Sequence, residues 1–192
     1  GIQTPVHDGL PPPLTETSVF SSQRDTSFLA RVCEEWEAAT QGAQNADHRV
    51  VLMRFAVVLG KNGGALTKMA LPFWLFAGGA VGSGNQPMSW ISRHDLCRGI
   101  NFLLKNQNID GPVNMAAPVC LRNKEFSKIL GRVIHRPSFM PAPAPILKLA
   151  LGEMANELLL NGQHVIPQKL REAGFMFDHP DPETTLRCIY QK

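Results

Sequence analysis

The sequence predicts an α/β fold with a parallel sheet, followed by a small helical segment. The valine-rich run over residues 49–59 is nearly continuous, which is typical of a strand covered on both faces. Up to about residue 134, segments with helical spacing of apolar residues alternate with short apolar runs, as in consecutive βα units. Beyond His135, prolines become frequent and the remaining periodic segments are helical.

Length and composition limit the class of protein. The chain has 192 residues, 44% of them hydrophobic, which is enough for the core of one ordinary domain. Its 16 glycines and 15 prolines indicate many short elements and argue against a coiled coil. The 19 Lys and Arg and the 16 Asp and Glu are scattered, so no nucleic-acid-binding patch is predicted.

The apolar stretches and the cysteines indicate the cellular compartment that we expect. The apolar part of the uncharged stretch over residues 69–92 ends near Val81, short of the roughly 20 residues that a membrane span needs. No signal peptide is visible. The four cysteines are far apart and form no C-x-x-C pair, so we expect buried free thiols in a reducing, cytoplasmic setting.

The first elements follow from local patterns. Residues 1–24 have no periodicity and are predicted to be loop. A helix begins near the N-cap candidate Asp25, with an apolar stripe formed by Phe28, Leu29, Val32, Cys33 and Trp36. A loop over residues 41–47 then leads to the strand over residues 49–59.

The middle of the chain continues the alternation. A helix is predicted over residues 65–77, interrupted at Pro72, followed by a turn and a short strand over residues 88–91. Asp95 is predicted to cap the next helix, whose buried face is Leu96, Ile100, Leu103 and Leu104.

A short strand is predicted over residues 111–116. Asn123 is predicted to cap the helix that follows, with Phe126, Ile129, Leu130 and Val133 facing inward. Three further helices are predicted over residues 146–160, 167–173 and 181–190.

Few motifs for chemistry stand out. The glycine-rich stretches over residues 60–64 and 79–84 lack the spacing of a phosphate loop or a dinucleotide fingerprint, so turn glycines are the favoured interpretation. The first stretch could still contact an anion, because it precedes a predicted helix and backbone amides at a helix start attract anions. The six histidines show no H-E-x-x-H pattern and no Ser lies in G-x-S-x-G, so we predict neither a metal site nor a serine nucleophile.

Arg54 is the most informative single residue because it lies within an otherwise apolar strand. A charge there is costly unless it is paired or lies at the open end of the strand. Two interpretations remain: a buried ion pair with Glu37 or Asp95, or an anion contact at the carboxyl ends of the strands, where open α/β sheets bind ligands.

Several segments together resemble successive motifs of one family. They are Phe28–Ala38, Arg54–Gly64, Gly82–Gln86, Trp90–Leu96 and Gly111–Pro118. The family is the epimerase-like branch of the extended short-chain dehydrogenase/reductases, which includes an atypical NADP-binding epimerase family protein and bacterial proteins labelled cell-division inhibitors or nucleoside-diphosphate-sugar epimerases. The segment from Pro145 to Phe177 resembles the small C-terminal domain of unknown function in that branch.

The resemblance covers residues 12–190 and implies a fold. That fold is a partial Rossmann-like, doubly wound parallel sheet that lacks its N-terminal half and carries a small C-terminal helical cap. After the loop of residues 1–24, residues 25–136 would form the C-terminal part of the NAD(P)-binding epimerase-like domain with its substrate region. Residues 137–192 would form the small domain of unknown function.

The resemblance also implies an activity. It is that of an NAD(P)-dependent epimerase or reductase acting on an unidentified small molecule. The glycine-rich pyrophosphate loop would precede this chain, so the chain is expected to be truncated, inactive and unable to bind NADP or NAD tightly by itself. The alternative is a non-catalytic binding module that needs a partner chain. Neither interpretation involves nucleic acid or a membrane, and a homo-oligomer is compatible with both.

The roles of individual residues come from the same resemblance. The Tyr-x-x-x-Lys pair of the superfamily matches Leu29 and Cys33, which cannot do acid–base work on a hydroxyl, so no catalytic residue is assigned. The lone tyrosine, Tyr190, lies in the last helix and does not match. Arg54 and Val58 match positions that run toward the nicotinamide end of the cofactor.

A further group of matched positions suggests contacts with substrate. These are Gly84, Gln86 and Trp90.

Overall fold

The computed structural model describes residues 9–18, 28–46, 48–61, 63–139 and 162–191. The predicted helix over residues 146–160 and the N-cap candidate Asp25 lie outside these residues. The described helices are α1 (Phe28–Ala38), α2 (Gln41–Asn45), α3 (Gly64–Trp74), α4 (Arg93–Lys105), α5 (Asn123–Val133), α6 (Gln168–Glu172) and α7 (Pro182–Tyr190). The described strands are β1 (Val51–Phe55), β2 (Val57–Leu59), β3 (Pro87–Met88), β4 (Trp90–Ser92), β5 (Gly111–Met115) and β6 (Leu121–Arg122).

The valine-rich run forms two strands that pair with different neighbours. β1 pairs in parallel with β5, and β2 pairs in parallel with β4. The change of partner occurs at Ala56: its N–H donates to the carbonyl of Met115 at 3.1 Å, whereas the N–H of Val57 donates to the carbonyl of Ser89 at 3.1 Å. The predicted α/β fold with parallel strands is therefore confirmed, although the run is interrupted once.

Two apolar clusters flank the short strand β4. Trp90 belongs to a cluster with α3, α5 and α7, while the next residue, Ile91, packs with α4, β5 and Phe175. Successive side chains of a strand point to opposite faces, so β4 separates the two clusters. β3 and β6 add a short antiparallel pair beside the first cluster.

The predicted coverage of the valine-rich strand on both faces is wrong for part of β1. Met53 and Phe55 are exposed, and Phe55 keeps 56% of its surface accessible. Their side chains share one face by the two-residue period, and no described helix covers it at that point. Within the predicted loop over residues 41–47, the structure also shows the short helix α2.

Two helix starts differ from the prediction in detail. Ser92, not Asp95, caps α4: its Oγ accepts the N–H of Asp95 at 2.9 Å, and Asp95 lies buried in the first turn. Arg122, not Asn123, is the N-cap of α5: the helix begins at Asn123, and the carboxylate of Glu125 accepts the N–H of Arg122 at 2.9 Å. Leu104, predicted to be buried, is exposed on α4.

The C-terminal residues pack closely on the rest. Leu14 forms a parallel bridge with Val165, α7 packs on α5, and Arg132 of α5 pairs with Glu183 of α7 at 2.7 Å. The helices predicted over residues 167–173 and 181–190 are confirmed as α6 and α7. The boundary placed at residue 137 stays a prediction.

The cysteines are free but mostly not buried. Cys120 is buried, as predicted, whereas Cys33, Cys97 and Cys188 are exposed. The prediction of burial is therefore wrong for three of the four, which lie on the helices α1, α4 and α7. Among the described residues, no helix is long and apolar enough to cross a membrane.

Candidate functional site

A cavity of about 350 Å³ lies between α1, the end of β1 and the turn at residues 15–18. Its described lining consists of Glu16, Thr17, Ser18, Ala30, Cys33, Glu34, Glu37 and Arg54. Three of these side chains are acidic and one is basic. Arg54 is the next-to-last residue of β1, so the cavity lies at the carboxyl end of a parallel strand, the usual place for a ligand in an open α/β sheet.

Arg54 and Glu37 form a two-point ion pair in this cavity. Nε of Arg54 donates to Oε1 of Glu37 at 2.7 Å, and Nη2 donates to Oε2 at 2.8 Å. The hydrogen bonds to Glu37 raise the pKa of Arg54, against the opposing effect of partial burial. Of the two ion-pair partners considered from sequence, Glu37 is the observed one. The pair lines the cavity, so the anion-contact interpretation of Arg54 stays open.

Glu16 is a buried residue of the cavity lining that sequence reasoning missed. Its side chain is only 7% exposed, and Oε1 accepts the backbone N–H groups of Asn114 at 3.0 Å and Lys169 at 3.3 Å. Oε2 is buried without a hydrogen-bond partner. The Thr- and Ser-rich sequence around Glu16 indicates a turn, but nothing local indicates burial, because both donors lie far along the chain.

The side chains of α1 contribute differently from the prediction. Cys33 and Trp36 were expected to lie on a buried stripe, yet both are exposed. Cys33 instead lines the cavity, at one of the two positions matched to the superfamily's acid–base pair. The side chain of Leu29, the other matched position, lies outside the described residues.

Val58 is not among the described residues that line the cavity. It lies opposite Ile91 in the β2–β4 pair and packs, half-buried, against the cluster of α4 and β5. Its assignment as a cofactor contact stays a prediction.

Gly84 and Gln86 belong to a loop that caps α5, away from the cavity. Their carbonyls accept the N–H groups of Lys124 at 2.9 Å and Asn123 at 3.0 Å, so two amides of the helix start are already used. Gly84 has φ +67°, and a Cβ there would lie 2.8 Å from Cβ of Ala80 and 2.9 Å from Cβ of Lys124. Turn and close packing explain this glycine. A substrate contact by Gly84 or Gln86 stays a prediction.

Trp90 and Tyr190 are packed residues. Trp90 has no exposed surface, and its indole N–H donates to the carbonyl of Val119 at 2.9 Å. A substrate contact by Trp90 stays a prediction, and this conformation offers no surface for it. Tyr190 lies on α7 in edge contact with Trp74, where burial raises its pKa.

A second cluster of titratable side chains joins α4 to residues 176–179. Ligand atoms of His94, Asp95 and Asp178 lie within 4.8 Å of one another. Oδ2 of Asp178 is 2.8 Å from Nε2 of His94 and 3.1 Å from Nε of Arg98, and the hydrogen bond to His94 lowers the pKa of Asp178. Arg98 bonds to both carboxylates, and the oxygens of Asp95 also accept the backbone N–H groups of Asp178 and His179, so the donor set does not suit a metal ion.

Comparison with known sequences identifies relatives. Residues 142–189 match a family described as a domain of unknown function, DUF1731. The chain is 44% identical over 154 residues to an epimerase family protein of Mycobacterium bovis, covering 80% of this chain and 51% of that protein. It is also 44% identical over 179 residues to the chloroplastic epimerase family protein SDR39U1 homolog of Arabidopsis thaliana, covering 92% and 51%. The chain thus spans about half the length of the curated relatives it matches.

The similar solved structures include epimerase family proteins as well. The human epimerase family protein SDR39U1, crystallised with NADPH, superposes with a TM-score of 0.84 at 32% identity, covering 94% of this chain and 60% of that one. A nucleoside-diphosphate sugar epimerase from Corynebacterium glutamicum superposes with a TM-score of 0.73 at 30% identity, covering 96% and 35%. The fold is therefore Rossmann-like α/β.

Proposed function

Because this chain is a homologue of the epimerase family proteins over about half of their length, we propose that it forms the substrate-side part of an NAD(P)-dependent, epimerase-like protein. The observation that carries the proposal is the cavity beside Arg54, at the carboxyl end of β1. In open α/β sheets, ligands bind at this end of the strands. The human relative crystallised with NADPH, which matches most of this chain, supports the choice of cofactor.

The pyrophosphate of the cofactor would be held by a segment outside this chain. Neither glycine-rich stretch in the described residues forms such a loop, since Gly84 helps to cap α5 and the N–H of Gly63 donates to the hydroxyl of Thr67 at 3.0 Å. A strand–turn–helix segment matching the part of the relatives that this chain does not span would supply it. We expect the chain alone to bind NADPH weakly or not at all.

Calorimetric titration with NADPH tests this proposal. One sample is the chain alone, and the other is a longer protein in which the part of the Mycobacterium bovis relative that this chain does not match precedes residue 9. The longer protein should bind NADPH and the chain alone should not. A folded longer protein that fails to bind NADPH would count against the proposed family function, and tight binding by the chain alone would disprove the need for a further segment.

A second candidate function, a non-catalytic module that joins a partner chain, is favoured by the free edge of β1. The N–H of Gly111 donates to the carbonyl of Val50, and the N–H of Ala56 donates to that of Met115. Alternation along the strand then directs the backbone groups of Met53 and Phe55 away from β5. Among the described strands, none pairs with that edge. Open edges of this kind accept a further strand.

Sedimentation of the chain alone tests this second function. A partner-requiring module should self-associate or aggregate, and Phe55→Asp should reduce that association because it places a charge beside the free edge. Met176→Asp is the matched control, since Met176 is also an exposed apolar residue but is distant in the chain. If the unmodified chain is a folded monomer, the binding-module function is contradicted.

A further inference from the structure

We propose that the C-terminal end of α3 is an interface at which two copies of this chain associate through the same surface. This surface, the α3 end patch, consists of Leu71, Trp74, Leu75, Phe76 and Arg136. The inference goes beyond the proposed function, because it uses neither the cavity beside α1 nor the free edge of β1.

The first observation is that the patch is apolar and uncovered. α3 directs Phe73 into the core, whereas four large apolar side chains at the same end of the helix stay on the surface. Leu71 and Leu75 are one helical turn apart, and residues 74–76 are consecutive, so the exposure is concentrated at one place. The exposed fractions are 59% for Leu71, 44% for Trp74, 71% for Leu75 and 60% for Phe76.

The second observation is the backbone conformation of Phe76. Its φ is +59°, in the left-handed region that bulky residues rarely adopt. The N–H of Ala77 donates to the carbonyl of Pro72 at 2.9 Å, and the N–H of Phe76 donates to that of Phe73 at 2.9 Å. This hydrogen-bond pattern closes a helix whose left-handed residue is usually glycine. Here that position presents an exposed phenyl ring, and strain of this kind persists mainly where function maintains it.

The third observation is that Arg136 holds the two rings in place. Its Cζ lies 4.8 Å from the centroid of the Phe76 ring and 5.1 Å from that of Trp74. Nη1 donates to the carbonyl of His135 at 3.1 Å, and none of the ion pairs among the described residues includes Arg136. The rings are therefore ordered before a partner arrives, which lowers the entropic cost of association.

The composition of the patch is that of a protein–protein interface. Aromatic residues and Arg are enriched in interface cores, where Asp, Glu and Lys are depleted, and Trp and Arg often contribute most of the binding energy. No Asp or Glu occurs between residues 48 and 94, so α3 carries no carboxylate. Basic clusters that recognise anionic lipid have roughly four to eight Lys or Arg, whereas the patch has only Arg136. A protein partner therefore fits better than a membrane surface.

The area of the patch suits a second copy. With about 200 Å² for each large side chain, the four exposed fractions correspond to roughly 450 Å² of apolar surface. Two copies would bury about 900 Å² of apolar surface, and the polar rim would bring the total to the roughly 1,200 Å² at the lower end of specific interfaces. A two-fold axis near Leu71 and Leu75 would pair these leucines with themselves and leave the two Arg136 side chains at opposite rims.

Two substitutions in the patch test the proposal, and every sample also carries Phe55→Asp to suppress association through the free edge of β1. Leu75→Asp places a charge at the centre of the patch. Its matched control is Met176→Asp, because Met176 is 68% exposed and lies outside the patch. Phe76→Gly removes the ring and supplies the residue that the left-handed position prefers, so it should not lower the melting temperature. Circular dichroism and thermal melting establish that each variant is folded.

The measurement is sedimentation velocity of the chain without cofactor, at concentrations from about 1 to 200 µM, the range in which an interface of this size should associate. We expect the Phe55→Asp chain and its Met176→Asp variant to form a dimer at the upper end of this range. Leu75→Asp and Phe76→Gly should each raise the dissociation constant of the dimer by about tenfold or more, as the loss of a central contact does.

Several results would overturn the proposal. They are a Phe55→Asp chain that stays monomeric throughout, a dissociation constant that Leu75→Asp leaves unchanged, or assemblies that grow beyond a dimer. Binding to vesicles of phosphatidylcholine and phosphatidylglycerol, lost in Leu75→Asp, would assign the patch to a lipid surface instead. If Leu75→Asp does not fold, Phe76→Gly decides, and an unchanged dimer of that variant contradicts the proposal. Because no cofactor is present, these outcomes are independent of the NADPH titration.

Discussion

Asp95 and His179 are joined by a hydrogen bond that ties helix α4 to the chain between α6 and α7. Oδ2 of Asp95 accepts the backbone N–H of His179 at 2.8 Å. Oδ1 of the same carboxylate accepts the N–H of Asp178 at 3.0 Å and Nη1 of Arg98 at 3.0 Å. Asp95 has no exposed surface, so its carboxylate is a buried acceptor for two backbone amides and one guanidinium.

This arrangement predicts that Asp95→Asn destabilises the protein. An asparagine keeps one acceptor oxygen and turns an NH₂ group toward a backbone donor, so the free energy of unfolding should fall by about 2–4 kcal/mol. Urea denaturation monitored by circular dichroism measures the change. Asp110→Asn, at an exposed position, is the control. A loss for Asp95→Asn within about 0.5 kcal/mol, as for an ordinary surface substitution, would contradict the structural role.

The Arg54–Glu37 pair predicts a measurable coupling. A double-mutant cycle of Arg54→Met and Glu37→Gln should give a coupling energy of about 1 kcal/mol, because the contact is bidentate but both side chains keep some exposure. Unfolding in urea at low and high salt provides the four free energies, and the coupling should shrink with salt. A coupling indistinguishable from zero at low salt would show that the ion pair does not form in solution.

The way in which the stability of the fold falls at acid pH should depend on Asp178. The hydrogen bond to His94 lowers the pKa of Asp178 below its unfolded value of 3.8, so its contribution is present above that pH and is lost as the pH falls through the lower folded value. Asp178→Asn should therefore lower the urea midpoint near neutral pH and have no effect in strong acid. An equal effect of the substitution at both pH values would contradict the linkage.

The thiols should differ in reactivity. Burial raises the pKa of the Cys120 thiol, and the side chain is enclosed, so iodoacetamide should modify Cys33, Cys97 and Cys188 first and Cys120 only at higher pH or on unfolding. Peptide mass spectrometry after timed labelling measures the order. If Cys120 is modified as fast as Cys188 near neutral pH, the structure around Cys120 opens readily.

Much of the fold was predictable because apolar periodicity is a local signal. Ile100 and Leu103 on α4, and Phe126 and Leu130 on α5, repeat at helical spacing, and both helices form where predicted. The valine-rich run predicted a parallel strand but not its change of partner at Ala56, since β4 and β5 both lie far along the chain.

The site was less predictable because its contacts join segments that are far apart in the sequence. The partner of Arg54 could be narrowed to two carboxylates because a charge within an apolar run needs compensation. Glu16 carried no such signal: its neighbours are polar, and its burial depends on Asn114 and on Lys169, 98 and 153 residues away. The exposure of Phe55 was missed because strand composition does not show which face a neighbouring element covers.

The most direct test of the central claim is a crystal structure of the longer protein, with the additional N-terminal portion, bound to NADPH. The account predicts that the nicotinamide end of the cofactor lies at the carboxyl end of β1, beside the cavity that contains Arg54 and Glu16. Cofactor bound elsewhere, with its nicotinamide remote from Arg54, would contradict it.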